Sequence, residues 1–267
     1  MEDSKILFIG TGVMSEGIIK ELLRDNMVSA DDIIINNRTS SKMIRLIEHY
    51  GVSCCNDVIE GINSADIIVI GVKPQDLNDV LKVINRAQNK TAVIVSIAAG
   101  RSIPSMEEYL GKNRKIIRVM PNPLVDVKLG FSALCCNENV TSQEFSYVEN
   151  LLKSIGDTVI IKEYLFDAFT GFCCSGPAFV YEFIEAMIDA GVFVGFSRTD
   201  SIKFSIQNII GACEMVKASS EHPAVLKERM TSPAGTTITG LKVLNESGFK
   251  GLIQNAVSSA VKRSKEL

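Results

Sequence analysis

Residues 5–15 read KILFIGTGVMS, and this stretch decides the fold. A short apolar run ends in Gly10-Thr11-Gly12. It passes at once into helical spacing, with Ile18, Ile19, Leu22 and Leu23 on one side. Strand, glycine loop and helix in that order bring backbone up to a dinucleotide pyrophosphate. Gly10 permits the tight turn, and Gly12 lets the backbone approach. The helix opening at Val13 and Met14 turns its N-terminus to the phosphate charge. Ser15 holds the third position, where Gly or Ala usually allows close helix–strand packing.

Outward from this loop, β-branched runs recur at 32–36 (DIIIN), 66–72 (DIIVIGV) and 91–97 (TAVIVSI). They lack polar alternation, which predicts a sheet buried on both faces and therefore parallel. Between the first two runs, residues 40–50 place Met43, Ile44 and Ile47 at helical spacing. Later strands are expected at 116–119, 131–135 and 158–161, and a helix at 141–155 with Thr141 as N-cap and Glu144 completing a capping box. The alternation predicts a Rossmann-like, doubly wound, mostly parallel α/β sheet over residues 1–162. From 163 to 267 the runs cease, and helices are expected at 178–194, 200–219, 224–230, 237–244 and 251–262. Pro177, Pro223 and Pro233 fall near helix starts, where a missing N–H costs little.

Composition excludes several functions. Lys plus Arg is 28 and Asp plus Glu is 31, so the formal charge is −3, without the basic excess of a phosphate-neutralising nucleic-acid binder. Apolar residues are 46% of the 267, ample for a packed core. His49 and His222 are the only histidines, and the seven cysteines form no C-x-x-C, so no metal site is expected. Six of the seven lie in adjacent pairs and read as reduced thiols filling small apolar volumes. The opening MEDSKILFIG has no signal-peptide pattern, and the apolar stretch 178–196 contains Glu182, Glu185 and Asp189. A cytoplasmic protein without membrane contact is expected.

The end of the second strand selects the cofactor. NAD sites usually place a carboxylate there for the ribose 2′-hydroxyl. Here the chain reads Asn36-Asn37-Arg38-Thr39-Ser40-Ser41, a guanidinium among amides and hydroxyls. Arg pairs with phosphate and stacks on adenine, so NADPH is expected, with NADH as the weaker cofactor.

The helical half carries no Ser-His-Asp set and no paired carboxylates at a plausible active loop. Its most informative stretch is 230–244, MTSPAGTTITGLKVL. Free N–H groups at Gly235, Thr236 and Thr237, with the Ser232 hydroxyl beside them, are expected to form a pocket for a small carboxylate.

These motifs together resemble the pyrroline-5-carboxylate reductases, the enzymes of the last step of proline synthesis. The resemblance runs nearly end to end, through GTGVM, IGVKPQ (70–75), SIAAG (96–100), RVMPN (118–122), SGPAFVYEFIEAM (175–187) and the 226–244 signature. It implies hydride transfer to the C=N carbon of Δ1-pyrroline-5-carboxylate, giving L-proline. Thr237 matches the family's active-site threonine, and Ser232 with the backbone at 235–237 is implied to hold the carboxylate. Val72, Lys73 and Pro74, with Ala98, Ala99 and Asn122, match segments lining the nicotinamide and ribose. Related β-hydroxyacid dehydrogenases carry a catalytic Lys on the long central helix, and 178–195 has none. The alternatives are a reductase of another small cyclic imine or keto acid, and a weakly active NADPH-binding regulatory paralogue. Pro123-Leu124, Cys173-Cys174 and Ser15 depart from the family pattern. Ala234 replaces a glycine, a mild change if its φ is negative. The resemblance also implies a homodimer through the helical domain, which in many members of the family stacks into a decamer.

Overall fold

The structure, a computed structural model, describes residues 4–266. Eight strands form one sheet: β1 (Ile6–Ile9), β2 (Ile33–Asn36), β3 (Ser53–Cys54), β4 (Ile67–Ile70), β5 (Val93–Ser96), β6 (Lys115–Pro121), β7 (Gly130–Cys136) and β8 (Gly156–Ile160). Their order is β3-β2-β1-β4-β5-β6-β7-β8. Pairings are parallel except β6 with β7. β1 registers Ile6 on Ile33 of one neighbour and Ile6 on Ile67 of the other. The chain therefore winds outward in both directions from β1, and a ligand crevice opens at the carboxyl ends of β1 and β4.

Helices α1 (Val13–Arg24), α2 (Ser40–Tyr50), α3 (Val58–Ser64), α4 (Leu77–Arg86), α5 (Ile103–Leu110) and α6 (Ser142–Leu152) accompany the sheet. The apolar runs explain the layers. Ile6, Phe8, Ile67, Val69, Val93 and Val95 face one side, where they pack with Ile18, Ile19, Leu22 and Leu46. Alternate residues Leu7, Ile9, Ile68, Ile70 and Ile94 face the other, with Ile62, Leu81, Ile84 and Met106. Each such aliphatic side chain contributes about 1.5–3 kcal/mol on full burial. The expected capping box is present: Glu144 N–H donates to Thr141 Oγ1 (3.3 Å), and Thr141 N–H donates to Glu144 Oε2 (2.9 Å).

A short helix α7 (Phe166–Phe169) continues into a wide turn over Thr170–Cys174. The remaining helices are α8 (Gly176–Phe193), α9 (Arg198–Ser219), α10 (Pro223–Arg229), α11 (Thr236–Glu246) and α12 (Phe249–Lys265). Contacts divide the chain into two compact units, one reaching Cys174 and taking in the segment from Ala260, the other Ser175–Ser259. Within the first unit, Ser264 Oγ donates to Asp167 Oδ1 at 2.8 Å. Within the second, a β-carbon at Gly191 would stand 2.6 Å from Ser201 Oγ, so α8 and α9 meet closely there. The buried side chains of α9 are Ser201 and Ser205, and α8 buries none. Tyr181, Phe193, Ile210 and Met215 stand exposed instead. Among the described residues, no helix is long and apolar enough to cross a membrane.

Candidate active site

The phosphate loop is built from two glycines with different jobs. Gly10 has φ +89, and a β-carbon there would stand 2.7 Å from Val72 Cγ1 and 3.0 Å from Gly71 backbone. Its N–H donates to Asn36 C=O at 2.9 Å, tying the ends of β1 and β2 together. Gly12 is the N-cap of α1, and no side chain caps that helix. A β-carbon on Gly12 would meet only Gly71 O, at 4.0 Å, so the approach to the helix start is open. The first-turn N–H groups, which lack intrahelical acceptors, are thereby left for an anion. Val13 lies exposed on this first turn, and Met14 packs against the core.

Gly10, Gly12, Asn36, Asn37, Arg38, Thr39, Val72 and Lys73 line one cavity of about 620 Å³. Thr39 is the N-cap of α2 and makes no side-chain cap bond, so a second uncapped helix start lies among these residues. Lys42 adds an ammonium to the lining. Asn36 closes β2 with an amide, whose Nδ2 donates to Cys55 C=O at 3.0 Å. This set fits a dinucleotide carrying a 2′-phosphate: one helix start for the pyrophosphate, another with Arg38 and Lys42 for the extra charge. Sequence reading missed Lys42, Asp76 and Asp79, which also line the cavity. The acids follow β4, and only the β1–β4 adjacency brings them to the same crevice.

The other expected cofactor residues lie outside the lining of this cavity. Pro74 opens a short turn after β4. Ala98 and Ala99 follow β5, and Asn122 follows β6, the next strands along the same edge. Asn122 is buried and its carboxamide is engaged. Oδ1 accepts from Leu124 N–H at 2.8 Å, and Nδ2 donates to Cys173 C=O. Cys173-Cys174, a departure from the family pattern, thus brace the loop after β6. Cys174 Sγ donates to Pro121 C=O at 3.6 Å, and burial pushes its thiol up to about 12, with Cys173 adding to the rise.

In the second unit, Ser232, Gly235, Thr236 and Thr237 form one turn and helix start. Gly235 N–H donates to Ser232 C=O at 2.9 Å. This corrects the expectation of three free donors, because the turn engages Gly235 and leaves Thr236 and Thr237. Gly235 is the N-cap of α11 and no side chain caps it. A second correction concerns Ala234, whose φ is +56 rather than negative. Pro233 takes the first corner of the turn that closes on Gly235, and Ala234 takes the left-handed second corner, as in a type II turn. Thr237 is exposed at the second position of α11.

The sheet, its switch point and this cavity define an NADP-linked oxidoreductase. A family model described as NADP oxidoreductase, coenzyme F420-dependent, matches residues 5–100. One described as pyrroline-5-carboxylate reductase dimerisation matches residues 163–267. Pyrroline-5-carboxylate reductase of Aquifex aeolicus is 36% identical over 263 residues, covering 98% of this chain and 97% of the relative. That of Escherichia coli is 35% identical, covering 99% and 98%. The crystal structure of Plasmodium falciparum pyrroline carboxylate reductase with NADP bound is 34% identical with a TM-score of 0.91, covering 100% of this chain and 98% of that one. The chain belongs to the pyrroline-5-carboxylate reductase family.

Proposed function

We propose that the protein reduces Δ1-pyrroline-5-carboxylate to L-proline with NADPH. The observation that carries this reading is the family's signature turn, present as an uncapped, donor-rich helix start at Thr236 and Thr237. NADPH supplies the hydride. The chain's own residues bind, orient and exclude. The α1 start at Gly12–Met14 holds the pyrophosphate, while Arg38, Thr39 and Lys42 take the 2′-phosphate beside Asn36 and Asn37. Backbone at Val72, Lys73, Pro74, Ala98, Ala99 and Asn122 borders the ribose and nicotinamide. The N–H groups of Thr236 and Thr237 and the Ser232 hydroxyl hold the substrate carboxylate, and Gly235 keeps the approach free of a side chain. Thr237 Oγ1 hydrogen-bonds the ring nitrogen, so the proton on that nitrogen is held while charge moves. Positioning of this kind needs no acid–base pair when the hydride arrives with the cofactor.

NADPH oxidation is measured with pyrroline-5-carboxylate beside other cyclic imines and keto acids. The highest kcat/KM is expected for pyrroline-5-carboxylate. A keto acid or another imine turned over faster overturns the assignment.

The exposed apolar side chains of α8 and α9 also support a homodimer through the helical unit. Light scattering at micromolar concentration should give the dimer mass or a multiple of it, and a mass of ten chains would identify a decamer. A monomer contradicts the proposal. Seven free cysteines suit a reducing compartment, the cytoplasm.

A further inference from the structure

The cavity that suits a 2′-phosphate already holds a competitor for it. Arg38 Nη2 lies 2.9 Å from Asp76 Oδ2. The two residues come from different strand ends, β2 and the turn after β4, and both line the cavity. The Arg38 side chain is 84% exposed, so packing does not fix its guanidinium, whereas that of Asp76 is 26% exposed and seated in the turn. A second carboxylate, Asp79, lines the same wall and pairs with Lys82 at 3.1 Å.

A guanidinium that donates to a carboxylate has fewer N–H groups left for a phosphate. Resting on the NADPH reading above, we propose that Asp76 is a positioning residue that competes with the 2′-phosphate for Arg38. It thereby sets how strongly this chain prefers NADPH over NADH. β2 ends without the acid that an NAD site carries, so selectivity by a β2 carboxylate is absent. The acid that tempers NADPH selectivity comes instead from across the crevice. An exposed pair of this kind is weak, so the competition is worth roughly fivefold in affinity rather than orders of magnitude.

The test is equilibrium binding without turnover. Isothermal titration calorimetry compares 2′,5′-ADP with 5′-ADP on the full-length native protein, Asp76→Asn, Asp76→Glu, Arg38→Ala and the double variant. Asp76→Asn is expected to tighten 2′,5′-ADP binding roughly fivefold and to change 5′-ADP binding little. Asp76→Glu keeps the charge and stays near native. In the Arg38→Ala background the gain from Asp76→Asn disappears. Unchanged or weaker 2′,5′-ADP binding by Asp76→Asn overturns the proposal, since Asp76 would then be idle or aim Arg38 at the phosphate. A gain that persists without Arg38 also overturns it, since repulsion alone would explain it. If Arg38→Ala itself leaves the preference for the 2′-phosphate intact, the assignment of NADPH through Arg38 fails, and the proposal with it.

Discussion

The hydroxyl of Ser15 occupies the space that a β-carbon on Gly71 would need. The first turn of α1 and the end of β4 are therefore matched: a larger side chain on the helix is accepted because the strand end has none. Ser15 Oγ is buried and has no hydrogen-bond partner among the described residues. Ser15→Ala removes an unpaired polar atom and should stabilise the protein by about 1 kcal/mol, read as a higher Tm with NADPH affinity retained. Gly71→Ala should cost stability and cofactor binding together. Ser15→Gly should rescue it only in part, because the Gly10 carbonyl oxygen still stands 2.8 Å from the new methyl group. A Gly71→Ala protein with native Tm would remove this account of the loop.

Ala234 carries the left-handed φ of a turn closed by Gly235 N–H on Ser232 C=O. A β-carbon in that region costs about 1–2 kcal/mol, part of which glycine returns as unfolded-state entropy. Ala234→Gly should therefore raise stability by about 1 kcal/mol in urea titration. Destabilisation would mean that the Ala234 methyl group makes a compensating contact.

Thr237 tests the chemistry. Thr237→Ala should lower kcat by roughly 10²-fold, the scale of losing one aimed donor, while NADPH binding measured by fluorescence changes little. Thr237→Ser keeps the hydroxyl and should keep most of the turnover. Native turnover by Thr237→Ala takes Thr237 out of the mechanism.

Alkaline pH should test the half-buried thiols. Burial pushes Cys135 and Cys174 from 9.0 up to about 12; the Glu163 carboxylate adds to the rise at Cys135 and Arg118 opposes it. In the unfolded chain both lose protons near their ordinary value, while the fold keeps them. Unfolding therefore releases protons above about pH 9, and stability falls as pH climbs towards about 12. Below that window the thiols contribute fully. The urea midpoint should drop between about pH 8 and about pH 10, and the drop should shrink in Cys135→Ala/Cys174→Ala. Equal drops in both proteins would assign the pH dependence to other groups.

The sheet was legible because its strands are continuous apolar runs, and α2 because Met43, Ile44 and Ile47 repeat with helical period. β3 was not. Ser53–Cys54 is two exposed residues held by pairing to Ile34 and Ile35, and local sequence carries no trace of that partner. Helix α4 was readable in principle, since Leu77, Leu81 and Ile84 recur at four and three residues and are all buried. The glycine loop and Arg38 could be placed from local order. Asp76 could not, because its role depends on β4 lying beside β1. The left-handed Ala234 was hidden as well, because alanine itself favours negative φ and a proline corner precedes residues of either sign.

The pairing of β6 with β7 bears on how the molecule assembles in time. These strands are antiparallel and joined directly through residues 122–129, whereas β1 must reach Ile67 on β4 across α1, β2, α2, β3 and α3. Short loops close at lower entropic cost, and non-local parallel pairing is slow. The β6–β7 ribbon is thus expected to gain amide protection first in pulsed hydrogen exchange, with β1 and β4 following. Refolding would then begin at the β6–β7 ribbon and finish at the glycine loop after β1, so the nucleotide crevice is among the last parts of the molecule to become competent.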